Sequence, residues 1–199
     1  MNQDHTGNKK STFATLGASN HSPLERIEKD FYATHPDAIK LLFQKYPHMF
    51  SENIWEPACG NGHLSKALAS MDIAVRSSDI TQRDFPCEII DFLNQNESWR
   101  GDIITNPPYK YALEFVEKSL ETVCNGHVVA MFLKLTFLEG KKRRKFFEKY
   151  PPKYVLVFSG RMKVARNGDE KMFAESSAAC YAWFIWEKGH YSHPTINWL

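Results

Sequence analysis

Two turn sequences, each at the end of an apolar run, constrain this chain more than anything else in it. The run Asp102-Ile103-Ile104-Thr105 leads into Asn106-Pro107-Pro108-Tyr109, and a helical pattern follows. Upstream, Asn53-Ile54-Trp55 leads into Glu56-Pro57-Ala58-Cys59-Gly60-Asn61-Gly62, again with a helical pattern behind it. Gly62 precedes Asn106 by 44 positions. Strand, turn and helix repeated in this way build a parallel α/β sheet with helices on both faces.

The other segments fit the same alternation. Ile39, Leu41, Leu42 and Tyr46 fall at helix-face spacing after Pro36. Residues 63–71 read as a helix, 73–79 as a strand ending in an acid, and 88–93 as a short apolar piece. Residues 111–123 read as an amphipathic helix, 127–133 as a strand, and 140–150 as a basic helix stopped by Pro151-Pro152. Residues 154–158 read as a strand, 161–176 as a long polar loop, 178–186 as an aromatic-rich strand, and the remainder as a tail. No helix separates the last two strands, which allows one antiparallel strand in an otherwise parallel sheet. Residues 1–25, rich in Ser, Thr, Asn and Gly, read as a flexible arm, leaving 26–199 as one domain.

At 199 residues the chain can bury one full core. Its net charge of +2 neither demands nor excludes a polyanionic partner, because distribution matters more than the sum. Cys59, Cys87, Cys124 and Cys180 show no paired metal-ligand spacing, so no metal is expected. The polar start lacks a signal peptide, the cysteines read as reduced thiols, and a cytoplasmic location is expected. No apolar run reaches the roughly 20 residues that span a membrane. The longest, 128–138, is interrupted by Lys134.

Open α/β sheets bind ligands at the carboxyl ends of their strands, where the glycine turn would sit. Glycine there lets the backbone turn sharply and a ligand come close. The turn lacks a Lys-Ser/Thr pair, so a nucleoside triphosphate is not expected. Asp79, 17 residues past Gly62, can accept both hydroxyls of a ribose; the plain alternative is a solvated loop acid. Asp91-Phe92 stands where a carboxylate could meet an adenine amino group and a ring could pack on the base.

In this order, Phe31-Tyr32-Ala33-Thr34, the glycine turn, Asp79, Asp91-Phe92 and Asn106-Pro107-Pro108-Tyr109 resemble the motifs of DNA adenine-N6 methyltransferases, above all the small phage and prophage type. The resemblance covers roughly residues 30–135. It implies a Rossmann-like class I methyltransferase: one catalytic domain over 26–199, with a mostly parallel seven-stranded sheet and one antiparallel strand. It also implies S-adenosylmethionine as cofactor. Tyr32, Thr34, Glu56, Ala58 and Gly60 would hold its methionine part, with Pro57, Gly62, Asp79, Ile80, Asp91 and Phe92 completing the cofactor set. His35 departs from the pattern, since many relatives have Pro there. Cys59 reads as a packing residue, because no basic partner stands beside it.

By the same resemblance, Asn106, Pro107, Pro108 and Tyr109 form the catalytic loop. An exocyclic amine is a poor nucleophile because its lone pair is delocalised into the ring. The Asn106 side-chain carbonyl and the Pro107 backbone carbonyl can accept its two hydrogens and turn the lone pair toward the methyl group. The prolines stiffen the loop, and Tyr109 offers a face to a flipped base.

The implied partner is DNA, with RNA left open. Sequence-specific relatives carry a target-recognition domain, and this chain has no room for one. Only 43 residues separate Gly62 from Asn106, and 13 follow Trp186. Base recognition is then relaxed, supplied by the arm and loops, or supplied by a separate specificity partner. Lys141-Lys142-Arg143-Arg144-Lys145 offers phosphate contacts or, as readily, a solvated helix face with Phe146 and Phe147 turned inward. Lys163, Arg166 and Lys171 add charge in the long loop, while Phe137 and Phe173 read as core or base-packing residues. Two further readings stay open: the same chemistry on an RNA base or a protein glutamine, and a non-catalytic S-adenosylmethionine-binding subunit. Oligomeric state is not set by these patterns.

Overall fold

The computed structural model describes residues 32–166 and 179–199. They begin with β1 (Tyr32–Thr34), α1 (Asp37–Lys45), β2 (Asn53–Glu56), α2 (His63–Ala69), β3 (Ala74–Asp79) and β4 (Glu88–Ile89). Then come β5 (Asp102–Thr105), α3 (Ala112–Thr122), β6 (Val128–Lys134), α4 (Lys141–Lys149) and β7 (Tyr154–Val157). The last elements are β8 (Val164–Arg166), β9 (Tyr181–Glu187) and β10 (Thr195–Trp198). Short 3-10 turns follow β5 at Tyr109–Tyr111 and β6 at Leu135–Leu138.

The main sheet has the order β10-β7-β9-β6-β5-β2-β3-β4. Its pairs are parallel except at β9, which runs antiparallel to both β6 and β7. The expected antiparallel strand is therefore inserted between two parallel neighbours. Among the described residues the sheet has eight strands rather than the expected seven, because residues 195–198 of the expected tail pair with β7 at the edge. The expected polar loop over 161–176 contains β8, which pairs antiparallel with β1 through Ala33↔Ala165 and Thr34↔Val164. Lys171, Phe173 and the arm over 1–25 lie outside the described residues.

Side chains alternate across each strand, and both faces of this sheet are covered. On one face Trp55, Ile103, Val129, Met131, Phe184 and Trp186 pack with Phe115, Val116 and Leu120 of α3 and Phe146 of α4. On the other, Ile54, Ile104, Ala130, Phe132, Trp183 and Ile185 pack with Ile39 and Leu42 of α1 and Leu64 and Leu68 of α2. Phe146 of the basic helix is thus inward, and Phe147 packs against the same core. Buried indoles need a partner for the N–H. Trp183 donates to the Ala38 carbonyl at 2.9 Å, Trp186 to the Tyr150 carbonyl at 3.0 Å, and Trp55 to Ser78 Oγ at 2.8 Å.

Two features position the site. From β2 the chain runs outward to β3 and β4, then returns to β5 on the other side of β2, so the strand order reverses between β2 and β5. Ligands of open α/β sheets sit beyond the carboxyl ends at such a switch point. At the opposite, amino ends, buried Asp102 holds the strands in register. It accepts the Ser51 N–H at 2.5 Å and the Val128 N–H at 2.8 Å, with His127 Nδ1 at 3.2 Å.

Candidate active site

The turn after β2 folds back on the end of β3. Cys59 N–H donates to the Ser78 carbonyl at 3.0 Å, and Gly60 N–H to Asp79 Oδ2 at 2.9 Å. Gly60 and Gly62 both have positive φ, 55° and 73°, a region that favours glycine. A Cβ on Gly62 would stand 2.4 Å from the Phe85 ring, so the loop before β4 closes directly on this turn. Pro57 is buried and Ala58 packs against the α3 side of the core. Cys59 is 5% exposed, and burial, joined by the charge of Glu56, pushes its thiol pKa up; it is a packed thiol rather than a nucleophile.

Glu56 is the electrostatic centre of the turn. It is 2% exposed and bonded by the Ser65 hydroxyl, which also meets Ser77 Oγ at 2.6 Å. Burial, joined by the charge of Asp79, pushes its carboxyl pKa up to about 8 against the pull of the Ser65 bonds. A cation arriving beside it would favour the ionised form. Asp79 ends β3, its Oδ1 also accepting the Thr81 N–H at 3.1 Å. A carboxylate offers about four lone-pair sites, so capacity remains for hydroxyl donors. Ile80, the next residue, is 65% exposed, an apolar surface beside Asp79.

Thr34 on β1 is buried, and its hydroxyl has no hydrogen-bond partner among the described residues. Thr105, the residue before Asn106, is in the same position. Buried polar groups are normally satisfied, so such hydroxyls mark places where a ligand can supply what the protein does not. Of Tyr32 only the backbone is described; it pairs with Arg166.

Two residues of the expected cofactor set depart from their simplest reading. The Phe92 ring is 2% exposed, edge-on to Trp55 at 5.3 Å and against Phe115 at 5.3 Å. It is a core ring, so a contribution to a ligand there would come from its backbone. Asp91 is exposed on the turn after β4, accepting the Asn94 side-chain amide at 2.7 Å.

Asn106-Pro107-Pro108-Tyr109 leaves the carboxyl end of β5 beside the switch point. Pro107 is buried, Pro108 is exposed and extended (φ −56°, ψ 120°), and its carbonyl accepts the Tyr111 N–H at 2.9 Å. Tyr109 is half-buried, with its ring 6.2 Å from Tyr181 and the Lys134 ammonium 5.0 Å from its centroid. Sequence reading missed Ser65, Phe85 and Lys134. For Lys134 a signal existed: a lone cation closing an apolar strand whose end faces the ligand edge.

Among the described residues no group of His, Cys, Asp and Glu is arranged to hold a metal, and no helix is long and apolar enough to cross a membrane. No protein-family model and no curated protein matches the sequence. Solved structures do match by fold. A Listeria monocytogenes protein assigned as a class I S-adenosylmethionine-dependent methyltransferase is 15% identical, with 96% of this chain and 71% of that one covered at a TM-score of 0.56. A Pyrococcus horikoshii protein assigned as an RNA methyltransferase is 14% identical, with 90% and 98% covered at 0.56. The type IIG restriction endonuclease BpuSI is 15% identical, with 84% of this chain but 26% of that one covered at 0.61. Strand order, inserted antiparallel strand and these likenesses agree: the chain has the Rossmann-like class I methyltransferase fold.

Proposed function

We propose that this chain transfers a methyl group from S-adenosylmethionine to the exocyclic amino group of a nucleic-acid base, N6 of adenine in DNA, and that residues 26–199 are its catalytic domain. The observation that carries the reading is the juxtaposition of two loops. Asn106-Pro107-Pro108-Tyr109 leaves β5 on one side of the switch point, and the turn 56–62 leaves β2 on the other. Likeness of fold to an assigned RNA methyltransferase and to a restriction endonuclease supports a nucleic-acid substrate.

S-adenosylmethionine supplies an electrophilic methyl on a sulfonium, the carbon–sulfur bond breaking as the amine nitrogen takes the methyl and then gives up a proton. The chain's part is to bind and orient. Glu56 faces the positive charge of the cofactor, and the Thr34 hydroxyl gains a polar partner. Asp79 accepts from the ribose, with Ile80 alongside the adenine. Asn106 and the Pro107 carbonyl accept the two amine hydrogens and aim the lone pair. Tyr109 stacks on the flipped base. A separate specificity partner would supply recognition of the sequence around the target base.

The test is methyl transfer from labelled cofactor to unmethylated DNA, followed by digestion to nucleosides, with Asn106→Ala alongside. Label in N6-methyladenine, lost in the variant, is the expected result. Cofactor binding with label only in RNA would move the acceptor to an RNA base. Binding with no label in either nucleic acid would overturn the reading.

A further inference from the structure

The flank of α4 carries a groove of about 870 Å³. Its lining includes Leu138, Lys141, Arg144 and Phe147 from the segment 138–148, and Tyr191 and His193 from the loop that joins β9 to β10. Within the lining, Lys141 and Arg144 are balanced by Glu139 and Glu148, so the groove carries little net charge. The exposed lysines of α4 are different. Lys141, Lys142 and Lys145 are exposed, and none makes an ion pair among the described residues. Lys141 and Lys145 stand one turn apart along the same ridge. Arg144 is paired with Glu148 at 2.9 Å, but these side chains are 81% and 60% exposed. Solvent screens such a pair, and a phosphate can displace it.

Aromatic surface meets this cationic ridge. Tyr191 is 69% exposed, and Phe147 lies half-buried in the groove wall. The groove opens at Leu138-Glu139-Gly140, just behind the carboxyl end of β6. That is the edge of the sheet from which Asn106 also projects, since β5 and β6 run parallel. From there the groove follows α4 toward the loop that joins β9 to β10.

We infer that this groove takes unpaired nucleotides flanking the target base. Their phosphates run along Lys141, Lys142 and Lys145, and their bases lie in the groove against Tyr191. A cationic ridge beside stacking surfaces is the chemistry that holds single-stranded nucleic acid. Glu139 and Glu148 add acceptors for exocyclic base amines. The inference rests on the nucleic-acid reading above and supplies that reading with a base-contacting surface.

The experiment compares the full chain with Lys141→Glu/Lys145→Glu and with Tyr191→Ala. Fluorescence anisotropy would follow a labelled single-stranded oligonucleotide and its duplex across a salt series, with circular dichroism to verify folding. Methyl transfer to the same oligonucleotides is measured in parallel. The charge reversal is expected to weaken single-strand binding at least tenfold and to flatten the salt dependence by about two counterions. Tyr191→Ala is expected to weaken single-strand binding roughly tenfold and duplex binding less. Unchanged affinity and salt slope in folded variants, with wild-type methyl transfer intact, would overturn the groove alone. A wild-type chain that neither binds nor methylates either oligonucleotide would overturn the nucleic-acid reading and the groove with it.

Discussion

The Asp79 carboxylate accepts the Gly60 N–H at 2.9 Å, so the end of β3 fixes the turn that follows β2. Asp79→Ala removes this bond and the one to Thr81, and leaves the buried Gly60 amide without a partner. A lost partner of a buried donor costs about 1–3 kcal/mol. The expected result is a melting temperature lower by several degrees, with cofactor affinity falling further than stability, read by calorimetry. Asp79→Asn keeps one acceptor and should fall between. An unchanged melting temperature in Asp79→Ala would show that this bond does not hold the turn.

Glu56 makes stability depend on pH. Its carboxyl pKa is about 8 in the folded chain against 4.5 without the fold. The folded state therefore holds the proton more tightly, and its advantage is complete below about pH 4.5 and lost as pH rises through about 8. Melting temperature should fall between pH 5 and 8.5, and Glu56→Gln should flatten that slope. Binding of a cationic cofactor at pH 7 should release a proton, seen as a binding heat that changes with the ionisation heat of the buffer. Buffer-independent heats would mean that Glu56 does not meet the positive charge.

Much of this arrangement is legible in the sequence, for reasons that differ by element. Val128 to Leu133 is a continuous apolar run because both faces of β6 are covered, and such runs stand out. The turns at Gly60 and Asn106 are marked by residues with restricted or unusual backbones. β1 and β8 are three residues each, too short for any period, and their pairing joins distant parts of the chain. β10 is hidden because Ile196 and Trp198 are exposed on an edge strand, with no buried face to set an alternation. An aromatic after Asp91 is easy to see; only the tertiary fold decides that Trp55 and Phe115 claim its ring.

Gly62 has two independent reasons to be glycine. Its φ of 73° costs any other L-residue about 1–2 kcal/mol, and a Cβ would stand 2.4 Å from the Phe85 ring. Gly62→Ala should therefore be destabilised by more than the conformational cost alone, measured by thermal melting. Adding Phe85→Leu should recover only the steric part. Full recovery in the double variant would show that the backbone there relaxes out of the left-handed region.

Asp102 provides the contrast that separates folding from the site. It lies at the amino end of β5, at the far end of the strand from Asn106, and is 1% exposed. Its carboxylate gathers the Ser51 and Val128 N–H groups and His127 Nδ1, tying together the starts of β5 and β6 and the approach to β2. Hydrogen bonds to a charged acceptor are worth about 1.5–3 kcal/mol each, so Asp102→Ala is expected to be the most destabilising of these variants. Asp102→Asn keeps one oxygen acceptor and should cost about half as much. In both, the protein that remains folded should bind cofactor with near-normal affinity, because no ligand-edge residue has moved. This is the reverse of Asp79→Ala, in which affinity falls more than stability. Should Asp102→Ala weaken cofactor binding as strongly as Asp79→Ala in folded protein, the two ends of the parallel strands would not be independent, and the site would depend on strand register rather than on its own loops.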